Sequence, residues 1–288
     1  MMRFAYYPGC TAKGSTQEVD TATRWLAGKL DIELIELAEA GCCGSCEIKA
    51  VNPTLHLMLN ARILALAEER GLEILTVCDT CQANLIQTAR RLDSDSETRA
   101  IVFEKLGRAG VHLDKKPRAR HLVRILADEI GWPGLRQRVT RPLTGLNVAG
   151  FSCCHVFRGS GSQPADKSLI DEIVAVSGAT PRTLRSDGDC CGFHILMVNE
   201  ELATRAAGRF LKKCAEAKVD CIVTTSPLCH AALDIYRRKA QTVGGRPIAI
   251  PVLHVEQLLA LSFGCSPSSV GLERHMVSTD SLVKRIAA

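Results

Sequence analysis

The chain has 288 residues, 46% hydrophobic, 23% charged and 4% aromatic, with a net charge of +5. That length suits one large domain or two ordinary ones, with cores built mainly from Leu, Ile, Val and Ala. The dispersed charge lacks the basic, aromatic-interleaved blocks of a nucleic-acid binder. No uncharged apolar run reaches the length of a membrane span.

Met1–Tyr7 carries no signal-peptide pattern, so a cytoplasmic protein is expected. In that compartment thiols stay reduced, and fourteen cysteines read as metal ligands or redox groups rather than disulfides. Arg3–Tyr7 reads as a strand ending at Pro8-Gly9-Cys10. A helix over Thr16–Lys29 and a strand over Glu33–Leu37 lead to Gly41-Cys42-Cys43-Gly44. Pro53 opens a helix that Gly71 stops, and the strand Glu73–Val77 runs directly into Cys78. Asp79 or Thr80 can cap the next helix, to about Arg91. Further helices are expected over Glu97–Ala109 and His121–Ile130.

The turn-rich stretch 132–145 reads as a connector between an N-terminal domain, 1–131, and a C-terminal domain, 146–288. The second half repeats the order. Leu146–Phe151 is a strand into Cys153-Cys154, Lys167–Ser177 a helix, and Thr183–Arg185 a strand before Cys190-Cys191-Gly192. A helix over Glu200–Lys218 and a strand over Val219–Thr225 follow, then a helix from Pro227 to about Lys239. Ile248–Val252, with Pro251 inside it, is the last strand, and His254–Leu261 the last helix before a polar tail. The expected fold is α/β, two pseudo-repeated domains with mostly parallel sheets. Their metal sites should lie at strand carboxyl ends, facing each other across a cleft.

Ten cysteines carry the chemistry. Cys10, Cys42, Cys43, Cys78 and Cys81 form one set, and Cys153, Cys154, Cys190, Cys191 and Cys229 the other. From Cys43 to Cys78 is 35 positions (78 − 43), and from Cys191 to Ser226 is also 35 (226 − 191). Helix N-termini just after these cysteines favour thiolate. Cys78-Asp79-Thr80-Cys81 alone has the spacing of a zinc half-site or a redox dithiol. Neither requires Cys42-Cys43, whereas adjacent cysteines can address different irons of one larger cluster.

A cysteine, then Cys-Cys-Gly, then Cys-x-x-Cys, written twice, resembles the CCG cysteine-rich domain of the heterodisulfide reductase B-type family. The resemblance extends to Tyr7-Pro8-Gly9-Cys10, Pro227-Leu228-Cys229 and Gly271-Leu272-Glu273-Arg274-His275. It implies a non-cubane [4Fe-4S] cluster at each complete motif and reduction of a disulfide between the two. It also implies a C-type partner with cubane [4Fe-4S] clusters and a flavin-containing A-type partner. Bacterial relatives act in sulfur oxidation, with a protein-bound sulfur carrier as the implied thiol or disulfide substrate.

The first set matches fully. The second has Ser226 where a cysteine is expected, and Cys153 in addition. The readings that stand there are an altered cluster with Cys153 compensating, a different cluster or zinc, or a Cys153 that merely packs. His155, His194 and His230 adjoin the second set and are candidates for supplying protons or ligands. Helix capping or packing is their plainer role. Cys46 is placed near the first cluster or as a spare thiol, while Cys214, Cys221 and Cys265 pack or are incidental. Gly159-Ser160-Gly161-Ser162 lacks the lysine of a phosphate loop, and no Gly-x-Gly-x-x-Gly fingerprint is present. Arg158 and Arg62 could orient an anion, though structural arginines are commoner.

No ferredoxin-type cysteine run occurs, so electrons must pass to or from a partner. The expected function is the catalytic B-type subunit of a heterodisulfide reductase-like complex. The alternatives are an electron-transfer or anchoring subunit of a succinate dehydrogenase or glycolate/lactate oxidase complex, and a zinc-stapled interaction module.

Overall fold

The computed structural model describes residues 1–157, 169–186, 189–239, 242–243 and 246–287. Arg158, the Gly159–Ser162 stretch and the start of the helix expected from Lys167 lie outside the described residues.

The first half runs β1 (Met2–Tyr7), α1 (Cys10–Lys13), α2 (Gln17–Lys29), β2 (Ile32–Glu36), α3 (Ser45–Val51), α4 (Pro53–Glu69), β3 (Ile74–Thr76), α5 (Asp79–Ser94), α6 (Ser96–Arg108) and β4 (Ala119–His121). Then α7 (Leu122–Ile125), a π-turn over Leu126–Ile130 and α8 (Gly131–Arg136) lead into the second half. That half holds β5 (Asn147–Phe151), α9 (Cys154–Phe157), α10 (Leu169–Val176), β6 (Thr180–Arg182), α11 (Glu200–Glu216), β7 (Cys221–Thr224) and α12 (Pro227–Leu233). A small hairpin of β8 (Thr242–Val243) and β9 (Arg246–Pro247) precedes β10 (Val252–His254), α13 (Val255–Ser262) and α14 (Asp280–Ala287).

The fold is α/β with a pseudo-repeat. Two four-stranded sheets, β2-β1-β3-β4 and β6-β5-β7-β10, are parallel throughout. Read in the same direction they share one topology. In each, the first strand of the half is flanked by the second and third, and each crossover contains a helix. β1 and β3 are wholly or nearly apolar and buried, as strands covered on both faces must be.

Several boundaries differ from the sequence expectation. β6 falls at Thr180–Arg182 rather than Thr183–Arg185, pairing Asn147 with Thr180. β10 begins at Val252 rather than Ile248, because Pro251 has no N–H for the ladder and contributes only its carbonyl, to Ile222. The helix from Pro227 ends at Leu233, not Lys239. His121, expected to begin a helix, instead ends the edge strand Ala119–His121 of the first sheet, and the helix starts at Leu122. The connector contains α8, and the polar tail contains α14.

The halves are joined by one apolar core. Val19, Ala22 and Leu26 on α2 belong to the same buried cluster as Val255, Leu258 and Leu259 on α13. Each half also keeps its own cluster beneath its cysteines. The shared core presses the two sheets together with their carboxyl ends adjacent. The cysteines follow those ends: Cys10 after β1, Cys78 after β3, Cys153 after β5 and Cys229 after β7.

Candidate metal centres

Each cysteine set is shaped by a glycine and a helix start. Gly9, Gly44 and Gly192 have φ of 82°, 80° and 78°, a region that side chains disfavour. Gly44 and Gly192 turn the chain so that backbone N–H groups face sulfur. Gly44 N–H donates to Cys42 Sγ at 3.3 Å, Ser45 N–H to Cys43 Sγ at 3.4 Å, and Gly192 N–H to Cys190 Sγ at 3.4 Å. Cys78 caps α5 at φ −126° and ψ 113°, and Ser226 caps α12 at φ −122° and ψ 126°. Their N–H groups make matching bonds, to Thr76 Oγ1 and Thr224 Oγ1, both 3.3 Å. Serine and cysteine thus occupy the same place in the repeat.

In the first set, Cys10 Sγ lies 3.5 Å from Cys42 Sγ and Cys43 Sγ lies 3.6 Å from Cys81 Sγ, with Cys78 also against Cys81. Cys43, Cys78 and Cys81 are buried, while Cys10 and Cys42 form an exposed rim. All five line a cavity of about 210 Å³, which Phe193, Pro227 and Leu228 close from the second half. In the second set Cys154 meets Cys190, as Cys10 meets Cys42. Cys229 meets Cys191, as Cys81 meets Cys43.

The fifth sulfur differs. Where Cys81 has Cys78, Cys229 has Cys153. Cys153 precedes Cys154 as Gly9 precedes Cys10. A Cβ added at Gly9 would stand 3.1 Å from Cys81 Sγ, so this position aims at the last cysteine of its set in both halves. Ser226 Oγ is fully buried with no hydrogen-bond partner among the described residues.

Thiols packed this closely cannot all ionise unaided. Hydrogen bonds from Cys42 and Cys81 hold Cys43 down to about 4, and the bond to Cys42, with burial, pushes Cys10 well up. Cys154 and Cys191 hold Cys190 down to about 2 while Cys154 is pushed far up. Each stabilised thiolate raises its neighbours. A cationic iron–sulfur group or metal ion resolves that conflict by holding every sulfur as thiolate, so both sets fit such a group.

Between the sets lies His155, at the start of α9. Its Nδ1 is 3.4 Å from Cys153 Sγ, 4.0 Å from Cys154 Sγ and 3.4 Å from Thr80 Oγ1, in the turn between Cys78 and Cys81. Its Nε2 is 3.3 Å from Cys46 Sγ. The His194 ring stands 5.0 Å from that of His155 at 80°, and its Nδ1 lies 3.0 Å from Glu47 Oε1. Burial opposes protonation of His155, but the sulfurs of Cys153 and Cys46 outweigh it and raise the imidazole to about 10. His155, and then His194, hold the Cys46 thiol down to about 6.

His155 and His194 are therefore brought together, and His230 is not with them. His230 is buried, bonded through Nε2 to His275 Nδ1 and the Val252 carbonyl at 3.0 Å each, and stacked on His254. Burial, then His254 and His275, push its pKa well down, keeping it neutral. Cys46 faces the two histidines rather than the first set's cavity. Glu47 and Thr80 gave no sequence signal, since their partners are 147 and 75 positions away. Cys214, Cys221 and Cys265 are buried in apolar cores. Arg62 donates to the Glu39 carbonyl at 2.9 Å.

The cysteine-rich domain family CCG matches residues 4–86 and 148–234. A curated relative, the 8-methylmenaquinol:fumarate reductase membrane anchor subunit of Wolinella succinogenes, is 30% identical over 97% of this chain and 98% of its own. The B subunit of the ferredoxin/F(420)H(2)-dependent CoB-CoM heterodisulfide reductase of Methanosarcina acetivorans is 28% identical, over 99% of this chain and 97% of its own. A crystal structure of a hypothetical protein from Helicobacter pylori shares the fold, with a TM-score of 0.78 at 18% identity over 96% of this chain. This chain spans about half of that one, 52%. No helix among the described residues is long and apolar enough to cross a membrane. The chain belongs to the CCG cysteine-rich domain family, with the domain present twice.

Proposed function

We propose that this chain is the catalytic B-type subunit of a heterodisulfide reductase-like complex, performing disulfide/thiol redox chemistry between its two cysteine sets. One observation carries the reading: His155 touches both Cys153 of the second set and Thr80, inside the Cys78–Cys81 turn of the first. A disulfide entering there would meet both sets and a proton source together. Non-cubane [4Fe-4S] groups, when bound, supply one-electron exchange with substrate sulfur. Cys10, Cys42, Cys43, Cys78 and Cys81 would hold the first. Cys153, Cys154, Cys190, Cys191 and Cys229 would hold the second, with zinc the alternative at that site.

His155 and His194 are both raised above the usual imidazole range, despite burial, by neighbouring sulfur, with Glu47 adding to the effect on His194. His155 holds its proton at neutral pH, where thiolate would form, and His194 is shifted in the same direction. His230, neutral and enclosed, takes no part in this reading. The two domains, 1–131 and 146–288, each contribute one set. Electrons would come from a C-type subunit with cubane clusters and a flavin-containing A-type subunit. The substrate class is a disulfide or thiol, including a protein-bound sulfur carrier. Fourteen unpaired cysteines fit a reducing compartment such as the cytoplasm.

The test is paramagnetic resonance on anaerobically purified, iron-loaded full-length protein, titrated with thiol and oxidant. A thiol-dependent signal is expected, lost in Cys81→Ala. Iron without any thiol-dependent signal would favour a second reading, an electron-transfer or anchoring subunit. That reading is supported by the 30% identity to the fumarate reductase membrane anchor subunit.

A further inference from the structure

Cys46, His155 and His194 offer three ligand atoms within 4.8 Å of one another, drawn from both halves of the chain. We propose that they form a third metal site, for a borderline divalent cation such as Zn2+, separate from the two cysteine sets. It goes beyond the disulfide reading, and a bound ion would take up the two imidazoles that reading uses as proton carriers, so zinc-loaded and zinc-free protein are distinct states.

The geometry is close to that of a bound ion. Zinc–sulfur bonds of about 2.3 Å and zinc–nitrogen bonds of about 2.0 Å at a tetrahedral angle put sulfur and nitrogen about 3.5 Å apart. Cys46 Sγ and His155 Nε2 stand 3.3 Å apart. The two imidazoles are nearly perpendicular at 80°, so they can converge without stacking face to face.

The opposite nitrogens are already engaged. Glu47 Oε1 holds His194 Nδ1 at 3.0 Å, leaving Nε2 for Cys46, the carboxylate–histidine arrangement that orients metal ligands. Thr80 Oγ1 and Cys153 Sγ lie against His155 Nδ1, leaving its Nε2 for Cys46. Three ligands and partial exposure leave a fourth position for water or substrate, the form of an open rather than a structural zinc site. The thiolate and imidazoles bind as bases, so loading releases the protons they carry in the metal-free protein.

The two experiments fail separately: iron content and thiol-dependent resonance report the cysteine sets, while the zinc shell seen by X-ray absorption, one sulfur with two imidazole nitrogens as against a sulfur-rich shell, reports this site. Full-length, iron-loaded protein is equilibrated with Zn2+ alone and washed with a mild chelator. One zinc per chain is expected, in a shell of one sulfur and two imidazole nitrogens, with iron unchanged. The double variant Cys46→Ser/His194→Ala should lose it and keep its iron. Glu47→Gln, exposed and harmless to folding, should weaken zinc binding about tenfold through the lost carboxylate. Equal zinc in parent and double variant, or a sulfur-rich zinc shell, overturns the proposal.

Discussion

Thr225 Oγ1 donates a 2.6 Å hydrogen bond to Asp79 Oδ2, across 146 positions and between the two halves. Asp79 directly follows Cys78, and Thr225 directly precedes Ser226. The bond therefore ties together the two turns that carry corresponding positions of the repeat. His121 Nε2 completes the junction, 3.0 Å from the Thr225 carbonyl and 3.8 Å from Asp79 Oδ1. The spacing between the two cysteine sets is fixed here by polar contacts, with the shared apolar core below.

Removing that donor should be costly, because Asp79 is buried. Thr225→Val keeps the shape of the side chain and deletes the hydroxyl. A loss of about 1.5–3 kcal/mol is expected, the range for a hydrogen bond to a charged group. Chemical denaturation of the iron-loaded protein measures it. A loss under about 0.5 kcal/mol would show that the junction is held by packing alone.

Glu256, on α13, sets a pH dependence. Both its carboxylate oxygens are buried with no hydrogen-bond partner among the described residues. Burial first, and the charge of Asp79 in addition, raise it from 4.5 to about 8. A carboxyl whose pKa is raised on folding contributes stability in full below its unfolded pKa, and loses it as pH rises through the folded one. The parent should therefore weaken steadily between pH 4.5 and about 8. Glu256→Gln should remove this slope, matching the parent in acid and exceeding it, on the order of 5 kcal/mol, above the upper limit. Parallel stability curves for the two proteins would count against this assignment.

The cysteine pattern exposed the fold class, the repeat and the strand ends, because parallel sheets put function where strands stop. It did not show β4, since Ala119-Arg120-His121 has no apolar run to mark a buried edge strand. It also misplaced His230. Adjacency to Cys229 in a helix turns the next side chain by about 100°, which here sends it into a different buried cluster. Cys46 was legible as a residue but not as a site. Its partner His155 is 109 positions away, and only the closed halves bring them together.

Gly9 separates the two halves chemically. Its φ of 82° and ψ of 166° belong to a region that only glycine visits freely. A Cβ there would also stand 3.1 Å from Cys81 Sγ. Gly9→Ala is expected to cost about 1–3 kcal/mol and to deplete iron from the first set only. Iron counts alongside Cys191→Ala, which depletes the second set, would check the selectivity. Equal iron in Gly9→Ala and the parent would mean that the turn is less constrained than its geometry implies.

Cys153 stands where Gly9 stands, and its sulfur meets Cys229 as Cys78 meets Cys81. The second set has therefore exchanged a sulfur on the helix cap after β7 for one at the end of the neighbouring strand β5. This makes a rescue experiment possible. Cys153→Ala should lose about half the iron of the parent, the second set falling to four sulfurs. Ser226→Cys added to it should restore the iron, since the Ser226 side chain is fully buried and its backbone matches that of Cys78. The restored centre should resemble the first in its resonance spectrum, because both would then draw sulfur from the same five positions of the repeat. If Cys153→Ala kept its full iron, Cys153 would be a packing residue, and the second site would hold its group with four cysteines.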